Sequence, residues 1–346
     1  MVAHSLPTGH GHYPGAMDNS YLDGSAYSPE TVKFYDVAHE GAQIRAVAGA
    51  IGDLEGLYRL QPRSLVVVAT DQVAAAAARF IVRMRAPLRV PVVVTDALPS
   101  YVGALDVVMV VGDRADDPDV SQGLISADRR GATTILVGPP RGPVLDDAPS
   151  GTVVIPALPT AIGASPARGI SAVGVVLDLL EETPELVAQR LEEIATVVDE
   201  ELEQLSPERD TVVNPGRQLR EFADQSRVLH TGRSRHGFAV AEMMAVLWSL
   251  KGLPSGVAAM DELEPQAAPP VRDPFHDPFL DGPIDLVPLR TVVWAEEPDV
   301  AATVPDALAV NCETPGIGPV AAALILITRG LAATTYDSPE APPEDY

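Results

Sequence analysis

Cysteine is almost absent from this chain: Cys312 stands alone among 346 residues. A disulfide framework is therefore excluded, and a reducing, cytoplasmic setting is the expectation. Lysine is scarce too, with Lys33 and Lys251 the only two, so the cationic groups are nearly all arginines. Apolar runs such as 65–69 and 320–327 fall far short of the roughly 18 residues of a membrane span. Residues 1–16 lack the charged start and apolar stretch of a secretory leader. Positive charge is in deficit: 24 Lys and Arg face 48 Asp and Glu, a formal net charge of −24. Such a field argues against nucleic acid or an anionic membrane as partner, and a heavily phosphorylated ligand would need a local cationic site. No P-loop, dinucleotide glycine fingerprint, zinc spacing or GxSxG elbow occurs, so neither a cofactor nor a metal is expected.

What is present is enough apolar material, 46% of residues, for two domains of roughly 150 residues each. Residues 1–29, rich in Gly, Ser, His and Tyr and without a period, read as a lead-in; His4, His10 and His12 lie within it. Residues 30–50 show roughly helical spacing. Short Val- and Ile-rich runs then alternate with helical patterns. The spacing predicts strands over 64–69, 91–95, 106–111, 133–137 and 152–155, with helices over 73–84 and 120–130. Continuous apolar runs of three to five residues suit strands buried on both faces, and their alternation with helices predicts a doubly wound parallel sheet.

Two helices follow, over 166–180 and 184–205, the second with Pro184 at its first position after Thr183. A second α/β pattern comes next: helix 215–223, strand 227–230, helix 238–250, and strands 256–260, 286–294 and 308–311. An apolar helix over 318–333 completes it. Residues 265–288 hold seven prolines and read as a loop or lid. Residues 337–346 form an acidic, proline-rich tail.

The run Pro166-Ala167-Arg168-Gly169-Ile170, the start Asn214-Pro215-Gly216-Arg217-Gln218-Leu219, the turn Phe238-Ala239-Val240-Ala241 and the final helix over 320–335 together resemble one family. The chain is similar to the two-domain sugar-isomerase (SIS) proteins, the bifunctional phosphoglucose/phosphomannose isomerases, and among their homologues the actinobacterial TobH type. The resemblance implies an α/β fold of two tandem SIS-type doubly wound parallel-sheet domains, over 30–182 and 183–336, each with about five strands. It also implies a homodimer, for which the apolar helix over 320–331 is a contact surface, and a sugar phosphate or sugar nucleotide as ligand.

The chemical motifs depart from that family. Its glycine-rich turn after the first strand reads here Ala69-Thr70-Asp71-Gln72, without glycine and with a carboxylate that repels anions. Its serine- and threonine-rich phosphate loop after the third strand reads Gly112-Asp113-Arg114-Ala115-Asp116-Asp117-Pro118-Asp119. Ionised carboxylates only accept hydrogen bonds, so they oppose a phosphate dianion. The helix position of the family's glutamate base falls within Leu247-Trp248-Ser249-Leu250-Lys251, which holds no acid. Its proline–glutamate–x–x–histidine element aligns loosely with Asp261-Glu262-Leu263-Glu264-Pro265, leaving Glu262 as the candidate base with proline where histidine would be, and no lysine follows Lys251. Arg168, in the first turn of its helix, either meets an anion or pairs with a surface acid. The run 230–236 ends a strand, where open α/β sheets bind ligands. It supplies Gly232, Arg233, Ser234 and His236 as ligand-binding candidates, against a salt-bridged turn as the plain alternative. His276 reaches the same site from the proline-rich loop. Three functions stay open: a ligand-binding SIS protein in mannose or glucose phosphate metabolism with lost catalysis, an active glucose-6-phosphate/mannose-6-phosphate isomerase with Glu262 as base, and a scaffold without small ligand.

Overall fold

The computed structural model describes residues 27–160, 163–263, 287–314 and 316–338. Helices α1 (Pro29–Val37) and α2 (Glu40–Gly49) come first among the described residues, split at Ala38 and His39 where the sequence predicts a single helical stretch. The split lets each piece bury its own residues, Phe34 and Val37 on one and Ile44 and Val47 on the other. The first sheet follows: β1 (Ser64–Ala69), α3 (Gln72–Arg85), β2 (Val92–Thr95), β3 (Asp106–Val111), α4 (Pro118–Arg129), β4 (Thr133–Gly138), α5 (Pro143–Asp146) and β5 (Val153–Pro156). All pairings are parallel, in the order β2-β1-β3-β4-β5. Every residue of β1 and β3 is buried, as their unbroken valine runs require. Alternate side chains enter different cores. Leu65, Val67, Met109 and Ile135 face the large core shared with α2 and α3. Val66, Val68, Val108 and Val110 face a smaller one closed by Val120 and Leu124 of α4.

Helices α6 (Pro166–Leu179), α7 (Pro184–Gln204) and α8 (Pro215–Phe222) lead to the second sheet. It comprises β6 (Arg227–Thr231), α9 (Arg235–Leu250), β7 (Ser255–Val257), β8 (Leu289–Trp294), α10 (Pro298–Ala301), β9 (Ala307–Val310) and α11 (Pro319–Ala333). Its order, β7-β6-β8-β9, repeats the first sheet without the fifth strand, so among the described residues four parallel strands stand where about five were expected. The residues after β9, Asn311-Cys312-Glu313-Thr314, carry no apolar run from which a fifth could form.

The halves meet through α3 against α9, with α6 on α3 and α7 lying along both α2 and α11. Helix α11 corrects an expectation. Ala321, Leu324, Ile325, Leu326, Ile327 and Leu331 are buried within the chain, so its apolar surface is core and not a face left over for a second copy. Its apolarity on all sides fits a helix surrounded by α7, α8 and α9. Among the described residues no helix is long and apolar enough to cross a membrane.

Candidate functional site

In the first sheet the strand order reverses between β1 and β3, and the chains leaving their carboxyl ends diverge. Such a point is where open parallel sheets form ligand crevices. A cleft of about 850 Å³ lies there, lined by Thr70, Asp71, Arg79, Asp96, Asp113 and Arg114 among others. Leu250, the last residue of α9, closes one side. Gly112 holds a φ of +136°, and a Cβ there would overlap the Thr70 and Asp71 side chains.

Asp71 is the N-cap of α3. Its carboxylate accepts from the Ala74 N–H at 2.9 Å and from the Asp113 N–H at 2.8 Å. Thr70 Oγ1 accepts from the Arg114 N–H at 3.4 Å. Backbone donors at a helix start and an adjoining loop are the groups that cradle an anion in folds of this kind. Here the protein's own carboxylate fills that position. The sequence-based expectation that Asp71 repels anions misses this capping role, although an Asp directly before a helical run is a recognised N-cap signal.

Beneath the cleft, Arg168 is 2% exposed. Its Nη1 donates to the Gly138 carbonyl at 3.0 Å, and its Nη2 pairs with Asp113. Burial raises the Asp113 carboxyl above its usual range, and Arg168 opposes that rise. Arg168 thus pairs with a half-buried acid of the cleft lining and anchors the loop after β3. Glu40, from α2, accepts from the Ala167 N–H at 2.8 Å at the start of α6, and its pKa is raised to about 7, chiefly by burial. A carboxyl near neutral pKa suits acid–base work, but Glu40 is 2% exposed and lies outside the lining of the cleft. Nothing local in the sequence points to it, because its partners lie more than 120 residues away.

The second sheet carries the other predicted residues. Gly232 is buried against Gly237, and a Cβ on it would overlap that backbone. Arg233 and Ser234 are exposed, and His236 is half-buried in the first turn of α9. Ser234 Oγ accepts from the Gly237 N–H at 3.0 Å, and the Ser234 N–H donates to Glu296 at 2.9 Å. Glu296 stands two residues beyond β8 as Asp113 stands two beyond β3. Both switch points are thus bridged by a carboxylate bonded to a backbone N–H of the opposite loop. Glu262, in a single 3-10 turn beyond β7, is exposed on this same sheet edge. His276, and the proline-rich stretch up to residue 286, lie outside the described residues.

His230 departs from the rest of its run. It is fully buried between Trp248 and Trp294, and the Trp294 indole N–H donates to its Nδ1 at 3.1 Å. Burial pushes its pKa down to about 3, so it is a neutral core residue. The predicted residues also do not converge. Arg235, at the start of α9, donates to the Ala86 carbonyl beyond the end of α3, while Leu250 meets the cleft beside the start of α3. The two sites thus sit at opposite ends of a 14-residue helix, about 21 Å long at 1.5 Å per residue. Arg168 and the loop 232–236 are not one site. Among the described residues, no group of three or more His, Cys, Asp or Glu could hold a metal ion.

No family model and no curated protein sequence matches this chain. Solved structures do match. Over 93% of its length the chain is similar to tagatose-6-phosphate ketose/aldose isomerase from Escherichia coli, covering 95% of that chain, with a TM-score of 0.58 and 12% identity. It is also similar to the C-terminal domain of glucosamine-fructose-6-phosphate aminotransferase from Francisella tularensis, with 88% and 97% covered, a TM-score of 0.54 and 11% identity. At such identities the likeness is one of fold: doubly wound α/β architecture of the SIS type, with two parallel sheets.

Proposed function

We propose that this chain binds a sugar phosphate or sugar nucleotide in the cleft of the first sheet without isomerising it, as a partner protein in glucose or mannose phosphate metabolism. The neighbours in fold include an isomerase of a sugar phosphate, tagatose 6-phosphate. The observation that carries the non-catalytic reading is Asp71, whose carboxylate takes both backbone donors of the anion cradle. The sugar then meets acceptors suited to its hydroxyls, Thr70, Asp71 and Asp113. Its phosphate is assigned to Arg79 and Arg114, the cations of the cleft lining. Glu262 is solvent-exposed beyond β7 of the other sheet, and this reading gives it no role in the cleft.

Thermal unfolding of the full chain against glucose 6-phosphate, mannose 6-phosphate, fructose 6-phosphate and GDP-mannose tests this reading, paired with a coupled isomerase assay. A ligand at a hundred times its Kd stabilises by about 2.7 kcal/mol, roughly 4 °C for a chain of this size. The expected result is such a shift from at least one ligand with no turnover, abolished by Arg114→Ala. Isomerisation of any of these sugars at enzymatic rates, or no shift from any of them, would sink it.

A further inference from the structure

The two sheets share one strand order, yet among the described residues only the first has a fifth strand. There β5 pairs with β4 from Ile135–Val153 to Gly138–Pro156 and lies against α2. In the second sheet β9 is an edge among the described residues. The space beside it is a groove of about 730 Å³, walled by β9 and the residues after it and, opposite, by Leu219 and Phe222 of α8.

The backbone of β9 faces this groove with half of its polar groups. The carbonyls of Asp306 and Val310 accept from the N–H groups of Thr291 and Ala295 at 3.0 and 2.8 Å, so those residues turn toward β8. Strand alternation then turns the backbone groups of Ala307, Ala309 and Asn311 outward. The Asn311 carbonyl bears this out by accepting from Arg329 Nη1 at 3.0 Å. An edge of this kind is a template for one more strand.

Charge selects the occupant. Arg329 is held by both oxygens of Glu201, at 2.8 and 3.2 Å, and is neutralised. Glu297 and Glu313, in the groove lining, are exposed. We propose that the β9 edge is a docking site for an extended, basic segment of a partner protein, which adds a fifth strand and sets Lys or Arg side chains against Glu297 and Glu313. Main-chain bonds give such an addition its affinity, and alternate side chains its specificity. The proposal is independent of the sugar-binding cleft on the first sheet.

The test titrates the full chain into a fluorescently labelled octapeptide alternating valine and lysine, read by anisotropy. A valine–glutamate octapeptide is the control. Ala309→Pro removes an outward N–H and leaves the ladder to β8 intact, a placement edge strands tolerate; circular dichroism checks that the variant folds. Saturable binding of the lysine peptide alone, weakened at least tenfold by Ala309→Pro and by Glu313→Lys, is the expected result. Absence of binding, equal binding of the glutamate peptide, or indifference to Ala309→Pro overturns the proposal. So does sedimentation of the unliganded chain as a dimer that Ala309→Pro dissociates, which would give the edge to a second copy.

Discussion

Two buried residues titrate in opposite senses. His230 is held neutral, its pKa lowered from 6.5 to about 3, so the unfolded chain binds a proton that the fold excludes. Its contribution to stability is full above pH 6.5 and is lost as pH falls toward 3. Glu40 is raised from 4.5 to about 7, so the fold retains a proton that the unfolded chain releases. Its contribution is full below pH 4.5 and is lost as pH rises toward 7. Each slope approaches about 1.4 kcal/mol per pH unit, and between 4.5 and 6.5 the two cancel. Urea midpoints at pH 7, 6 and 5 check this. The Glu40→Gln variant should lose stability on acidification faster than the parent chain, and His230→Phe should gain relative to it. The latter should also cost about 1–3 kcal/mol at neutral pH, because the Trp294 indole N–H loses its acceptor. Parallel profiles for all three proteins would contradict the assignment.

At the scale of elements, the approach of α9 to its sheet is set by glycine. A Cβ on Gly237 would overlap the Trp294 carbonyl, which is strand backbone and has little room to yield. Gly237→Ala is expected to cost about 1–3 kcal/mol or more, above the roughly 1 kcal/mol for losing the N-cap hydroxyl in Ser234→Ala. Denaturant midpoints rank the two, and an unperturbed Gly237→Ala would refute the packing argument. The strands themselves were legible in the sequence, because runs such as Leu65-Val66-Val67-Val68 and Val107-Val108-Met109-Val110-Val111 admit only burial on both faces. The helices over α6 and α7 were legible from proline at their first turns. The short helices α5 and α10 were not, although Pro143 and Pro298 mark their starts, since four residues hold too little pattern. The candidate site was legible only in part. Its loops and its excess of carboxylates lie open in the sequence. The pairing of Arg168 with Asp113 and the placement of Glu40 depend on contacts 55 and 127 residues apart.

Across the whole molecule, a net charge of −24 surrounds two switch points that each already hold a carboxylate against a backbone donor. Both the long-range field and the local cradle then oppose a free phosphate dianion. For the proposed sugar ligand, affinity then comes from contacts to its hydroxyls and from Arg79 and Arg114, which line the cleft of the first sheet. The proposed difference from an isomerase that grips its substrate by the phosphate rests on Asp71. The measurement that tests it most directly is a calorimetric titration of inorganic phosphate into the parent chain and into Asp71→Ser, which keeps an N-cap hydroxyl and removes the carboxylate. The account predicts no saturable binding by the parent and millimolar or tighter binding by the variant. Phosphate binding of equal strength in both would contradict it.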